Sequence, residues 1–350
     1  MHMADALLAP QVAGCMYALS GTAACVSVWK LKKEDNPQKL PLMAVSAALV
    51  FAGQMINYTI PGTGSSGHIC GGMLLSALLG PYAGFLSMIA VLAIQCLFFA
   101  DGGLMALGAN IWNMAFYGCF VGYFCFWRPF VRSRRFGQSD KNARICISAA
   151  ALLGCIVTLQ MGAFSVVLET TASGITDLPF KQFALLMQPI HLAIGLVEGL
   201  ATAAVLNYVY SSRPELLMDV DPSSDSKARG SVRSTLVVLG VAVLVIGGGL
   251  SLAASSNPDG LEWALFGNEE DAGVKNMGLD EEDYGAKSPA ADRAQSIQER
   301  TSVLPDYAFK DSDSAAGTVV SGIAGSLIVA FAAVLICLAG GFFRKKKRLE

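Results

Sequence analysis

Ile69-Cys70-Gly71-Gly72-Met73-Leu74-Leu75-Ser76-Ala77-Leu78-Leu79-Gly80-Pro81-Tyr82-Ala83-Gly84-Phe85-Leu86-Ser87-Met88-Ile89-Ala90 is apolar almost throughout, and its break at Gly80-Pro81 decides the fold. Proline has no backbone N–H to continue a helix, yet it suits a helix start. Two spans, about 69–80 and 83–100, are therefore expected where uninterrupted hydropathy would give one. Other apolar runs lie at about 9–30, 41–59, 104–127, 144–168, 182–210, 234–254 and 317–343, most near the roughly 20 residues that cross a bilayer. The break raises the count from eight to nine.

Charge supports nine. Lys30, Lys32 and Lys33 follow the first run, and Arg128, Arg132, Arg134, Arg135, Lys141 and Arg144 separate the fifth from the sixth. Arg213, Lys227, Arg229 and Arg233 precede the eighth, and Arg344-Lys345-Lys346-Lys347-Arg348 follows the ninth. With nine spans and an external amino terminus, all of these face the cytoplasm, as the positive-inside rule requires. Asp101, Glu169, Asp177 and the segment 255–315, with 14 acidic and 5 basic residues, then face outward.

The composition agrees: 53% of residues are hydrophobic and 15% charged, against roughly 25% charged in soluble domains. Seven of the nine cysteines (Cys15, Cys25, Cys96, Cys119, Cys125, Cys155, Cys337) lie within apolar spans, where they read as small buried hydrophobes. No basic region precedes the first span, so a cleaved signal is not expected. The expected fold is an all-α polytopic membrane protein. It comprises a seven-helix bundle (1–210), a polar cytoplasmic linker (211–233), a two-helix hairpin (234–343) around an acidic external loop (255–315), and a basic cytoplasmic tail (344–350).

The chain has three histidines, one of them beside the amino terminus in Met1-His2. An α-amine, the next amide nitrogen and the imidazole of residue two can close adjoining chelate rings on one metal ion. A bulky His2 disfavours removal of the initiator Met, so the terminus is expected intact. Nitrogen-rich planar coordination suits Ni(II) or Cu(II), and imidazole suits Ni, Co, Zn and Cu. The loop Ile60-Pro61-Gly62-Thr63-Gly64-Ser65-Ser66-Gly67-His68-Ile69-Cys70-Gly71-Gly72 falls on the same side of the membrane, where His68 can give a fourth nitrogen. Its glycines permit strained backbone and close approach. His191 and Glu198 lie seven residues apart on nearly one helix face. They can orient a ligand or fix the bundle, and Cys70 reads as a small wall residue.

Four stretches together resemble the substrate-capture (M) subunit of energy-coupling-factor nickel and cobalt transporters. They are Met1-His2, Pro61-Gly62-Thr63-Gly64-Ser65-Ser66-Gly67-His68, Ala106-Leu107-Gly108-Ala109-Asn110-Ile111-Trp112-Asn113-Met114 and His191-Leu192-Ala193-Ile194-Gly195-Leu196-Val197-Glu198-Gly199. The loop departs from the family's PGGTSGH by substitution and one extra residue, with His68 still matching. Ser256-Asn257-Pro258-Asp259-Gly260-Leu261-Glu262-Trp263 and Leu304-Pro305-Asp306-Tyr307-Ala308-Phe309 resemble the PDGLE-type accessory (N) component.

The resemblance implies that Met1 supplies its amine, His2 its amide and imidazole, and His68 its imidazole. Ser65, Ser66, Asn110, His191 and Glu198 are then candidates for support around these donors. It also implies Ni(II), with Co(II) as alternative, as transported substrate rather than any catalysis, in a multi-pass protein of the inner or plasma membrane. The sequence has no Walker A motif, so ATP binding is expected in a partner ATPase (A) subunit coupled through a transmembrane (T) subunit. Ala44, Ala48 and Ala52 recur every four residues on span two, a spacing that lets helices approach closely. They serve either internal packing or docking of the T subunit. Since all proposed ligands precede residue 211, loss of the hairpin is expected to reduce uptake more than binding. A proton- or sodium-coupled carrier would need several midplane carboxylates or inverted repeats, and Glu198 is the one plausible deep carboxylate. A metalloenzyme would need an open coordination position and a general base.

Overall fold

The computed structural model describes residues 1–33, 39–174, 179–220, 231–267, 288–310 and 314–339. Asp177, residues 221–230 of the polar linker and the basic tail from Arg344 lie outside the described residues. Helices α1 (Pro10–Leu31), α2 (Lys39–Gln54), α3 (Gly72–Leu79) and α4 (Pro81–Phe99) come first. Helix α5 then runs through Leu107–Asn110, Ile111–Trp127 and Arg128–Val131, its middle part in π-helical geometry. After α6 (Asp140–Ser173) and α7 (Phe180–Ser212) comes the C-terminal lobe. It contains α8 (Val232–Gly248), the short α9 (Gly260–Phe266), α10 (Pro289–Thr301) and α11 (Ala315–Ala339). Helices α1, α4, α6, α7 and α11 are long and apolar enough to cross a membrane; α2 and α8 are shorter apolar helices.

The break at Gly80-Pro81 is real. Gly80 ends α3 with φ 83°, and Pro81 opens α4 at its first turn. A residue with a Cβ would be strained there, because positive φ favours glycine. The result is the expected all-α polytopic membrane architecture, with five helices of spanning length and two shorter apolar ones among the described residues.

The outer faces are apolar too: Trp29 is 53% exposed and Leu200 58%, on helices whose buried stripes also carry hydrophobic residues. A helix apolar all round is what a bilayer selects. Cys15, Cys25 and Cys125 stand on this outer face, contrary to the expectation that span cysteines are interior; Cys70, Cys96, Cys119, Cys146, Cys155 and Cys337 are buried.

Helices α6 and α7 pack along their length, and α5 packs against α3, α4 and α6. The C-terminal lobe is seated on the bundle: α8 and α11 lie against α2, and α11 also against α4. The alanine stripe lies within this packing. Ala48 and Ala52 are buried within the chain, Ala44 is half-buried, and the helix that carries them is covered by α8 and α11. Among the described residues, Ala48 and Ala52 pack inside the chain, and docking of a T subunit at this stripe stays a proposal.

Candidate metal centre

The centre is assembled around a threaded amino terminus. The Met3 N–H donates to Asn110 Oδ1 at 2.8 Å, and Met3 O accepts from Asn110 Nδ2 at 3.2 Å. Gly103 N also donates to Met3 O at 2.9 Å, and Ala106 N to Asp5 Oδ1 at 2.9 Å. Asn110 therefore grips the backbone one residue beyond His2 and fixes where that imidazole falls. The Met1 side chain is buried, and its amine faces a chamber lined also by Gly67, His68, Cys70, His191 and Asp259.

His2 is held at both ring nitrogens. Nε2 lies 3.3 Å from Gln95 Oε1, and Nδ1 lies 3.1 Å from Asp101 Oδ1. Gln95 Nε2 donates to Gln54 Oε1 at 2.7 Å, and Gln54 Nε2 donates to Cys70 O at 2.7 Å. This amide relay ties the ring to the glycine-rich loop and gives Nε2 an acceptor. That leaves Nδ1, the nitrogen the terminal chelate needs, facing Asp101. Burial lowers the His2 pKa against the opposing pull of Asp101.

His68 stacks beside it, ring centroids 5.3 Å apart and planes 26° apart. Its Nδ1 donates to Ile69 O at 3.0 Å, so Nε2 keeps a lone pair for coordination. Burial, followed by the Met1 ammonium, pushes its pKa down to about 4, which makes it a neutral donor at physiological pH.

The loop is shaped from two sides. Tyr58–Thr59 pairs antiparallel with Ser66–Gly67, a two-residue ladder in what the sequence suggests is an irregular loop. Behind it, the buried Glu198 carboxylate accepts Cys70 N–H at 2.7 Å and Gly71 N–H at 2.9 Å. Glu198 is thus a support for the backbone after His68. His191 Nδ1 donates to Met187 O at 2.8 Å, while its buried Nε2 has no partner among the described residues. Ser65 Oγ donates to Ser66 O at 3.1 Å. Ser66 reaches the C-terminal lobe: its N–H donates to Pro258 O at 2.8 Å and its Oγ to Asn257 O at 2.8 Å.

Asp259, which reads in the sequence as part of a turn, meets the metal centre directly. Its Oδ2 accepts from the Met1 amine at 3.2 Å across 258 residues of chain. Its Oδ1 accepts Leu261 N–H at 2.7 Å and Glu262 N–H at 2.9 Å, and Glu262 Oε2 accepts Asp259 N–H at 3.0 Å. This reciprocal capping box has a visible signature, an Asp followed three residues later by a Glu. Burial would raise the Asp259 carboxyl, but the neighbouring ammonium prevails and holds it below the usual range. Glu262 is pushed up to about 7, first by the charge of Asp259 and then by burial. Asp101, Gln95 and Gln54 carry no spacing signal of their own.

Among the described residues, no group of three His, Cys, Asp or Glu side chains converges as a metal cluster. The arrangement instead offers two imidazoles, a terminal amine and an amide at one mouth. A cleft of about 960 Å³, lined by His2, His68, Asp101, Asp259, Glu262 and Asp306 among others, opens onto it.

Residues 2–216 match the family described as the cobalt uptake substrate-specific transmembrane region, and residues 233–340 match the PDGLE domain. The fused NikMN chain of Archaeoglobus fulgidus is 34% identical over 331 residues, 94% of this chain and 95% of its own. The fused nickel transport protein NikMN of Rhodobacter capsulatus is 29% identical over 344 residues, again 94% and 95%. The cobalt transport protein CbiM of Sorangium cellulosum is 31% identical over 221 residues, 62% of this chain and 94% of its own. A crystal structure of a transition metal transporter is similar to 60% of this chain and 92% of its own, with TM-score 0.51 and 30% identity. The chain therefore belongs to the cobalt uptake substrate-specific transmembrane (CbiM) family, as a multi-pass metal transport component rather than an enzyme, with a substrate-capture M component fused to a PDGLE-type N component.

Proposed function

We propose that this chain captures Ni(II) from outside the cell for an ATP-driven importer of the energy-coupling-factor type. The observation that carries this reading is the convergence of Met1, His2 and His68 at one mouth, with His2 and His68 stacked at 5.3 Å. The His68 tautomer, fixed by Ile69 O, leaves a lone pair in place. On loading, His2 Nδ1 exchanges Asp101 for the metal, and the ring's single proton resides on Nε2 toward Gln95. The amine and the His2 amide each release a proton. Planar four-nitrogen coordination favours small d8 or d9 ions over octahedral, oxygen-seeking Mg(II). Co(II) is the alternative cargo, since relatives are named for either metal.

Uphill import requires an ATPase (A) subunit and a coupling (T) subunit. The distribution of basic loops supports an amino terminus outside and a carboxyl terminus in the cytoplasm of the inner or plasma membrane. One residue added before Met1 moves the imidazole out of the second position. That protein and His68→Ala should both lose nickel binding measured by calorimetry. Unchanged binding by the extended protein would exclude the terminal chelate. Proteoliposomes with the chain alone should bind nickel but not accumulate it; accumulation without ATP would favour an ion-coupled carrier.

A further inference from the structure

The PDGLE turn does more than abut the bundle. Its Asp259 is clamped by the capping box through Oδ1, which leaves Oδ2 turned toward the Met1 amine at 3.2 Å. The turn cannot drift: Ser66 binds Asn257 O and Pro258 O, and a Cβ on Gly260 would come within 2.7 Å of Ile190 Cγ2 and 3.3 Å of His191 Cε1. The carboxylate is thus delivered from a rigid support to the first donor of the proposed centre.

Charge accounting shows what it does there. In the empty centre Asp259 faces an ammonium, a charge of plus one. Coordination expels one proton from that ammonium and one from the His2 amide, both to solvent. A divalent ion bound to one amidate again carries plus one. The coordinated amine also retains two N–H bonds, so it can still donate to Asp259. The same carboxylate therefore suits both states without moving. His191 Nε2, buried beside the same chamber and without a partner among the described residues, is a second acceptor facing the site.

We propose that Asp259 is a positioning residue of the metal centre, keeping the Met1 nitrogen in place by a hydrogen bond in empty and loaded states and supplying the counter-charge of the metal–amidate unit. This rests on the Met1, His2 and His68 reading above. It makes the centre a joint product of both lobes, so removal of the C-terminal lobe should weaken equilibrium binding as well as uptake.

The test uses the full chain in detergent. Asp259→Asn keeps an oxygen that can cap α9 but removes the charge; Asp259→Ser, also a good cap, repeats the removal if the first variant folds poorly. Nickel affinity should fall roughly 10- to 100-fold, the range for partners that orient ligands, mainly through faster dissociation. The nickel d–d absorption band should stay in place, because the four nitrogens are unchanged. In metal-free protein, acylation of the Met1 amine by an N-hydroxysuccinimide ester, followed by peptide mass spectrometry, should be faster in the variants. Wild-type affinity and amine protection in both variants would overturn the proposal and leave Asp259 as a helix cap. A shifted band would overturn it too, by making Asp259 a direct ligand. His68→Ala separates the two readings: if it binds nickel like wild type, the centre itself is wrong whatever Asp259 does.

Discussion

Aspartates at opposite ends of the bundle hold nitrogen groups of different kinds. At the mouth, Asp259 holds the Met1 amine and Asp101 holds His2 Nδ1. At the far end, Asp219 accepts from Tyr123 Oη at 2.6 Å and pairs with Arg132 Nη2 at 2.6 Å and Arg128 Nε at 3.3 Å. A guanidinium stays protonated and cannot coordinate a metal. An amine or imidazole can release its proton and offer a lone pair. The first arrangement is a set of exchangeable partners, the second a latch. Acidic residues alone do not mark a metal centre; what they hold does.

The widest separation should appear in pH dependence. Coordination expels the His2 amide proton as well as one from the amine, so nickel affinity should fall at least about tenfold per pH unit from pH 8 to 5. His68, at about 4, stays neutral across that range and adds little. At the latch, burial would raise the Asp219 carboxyl, but Tyr123 and Arg132 outweigh it and lower it. Its stabilisation is present above the unfolded value near 3.9 and is lost as pH falls through the lower folded value, so it is constant from pH 8 to 5. Calorimetry and thermal melts over one pH series check both; parallel losses would erase the contrast.

Removing a donor comes next. His2→Ala should weaken nickel binding by more than the 10- to 100-fold typical of outer partners, measured by calorimetry at pH 7.5. Asp101→Asn, which frees His2 Nδ1 without removing it, should change affinity by roughly tenfold, toward the lower end of that range. An unaltered affinity would show that Asp101 and Asp259 are not equivalent holders. The smallest effect belongs to the latch. Asp219→Asn should leave nickel affinity within about twofold, since distant sites act independently. It should lower stability to thermal unfolding by only about 1 kcal/mol, because Arg128 and Arg132 are largely exposed.

Local pattern carried much of this. The run ending at Leu79-Gly80-Pro81 located the break between α3 and α4, because proline and glycine act within one turn. The apolar spans were legible for the same reason, and the motif around His68 pointed to a residue that the fold does bring to His2. What escaped depends on docking between distant segments. Met1 and Asp259 are joined only once the C-terminal lobe sits on the bundle, and no periodicity predicts that. The Ala44, Ala48 and Ala52 stripe was visible as a close-packing face, but its spacing could not say which helices cover it. The Asp259–Glu262 capping box was readable in principle, whereas the outward-facing Oδ2 was not.

The bond between Met1 and Asp259 also has a consequence in time. Met1 waits for a partner made 258 positions later. At about 5–20 residues per second, that interval is roughly 13–52 s. During it, the nascent bundle carries an amine whose carboxylate does not yet exist. Completion of the centre is therefore scheduled by synthesis of the second lobe, and a ribosome stalled before the PDGLE turn leaves a half-built mouth.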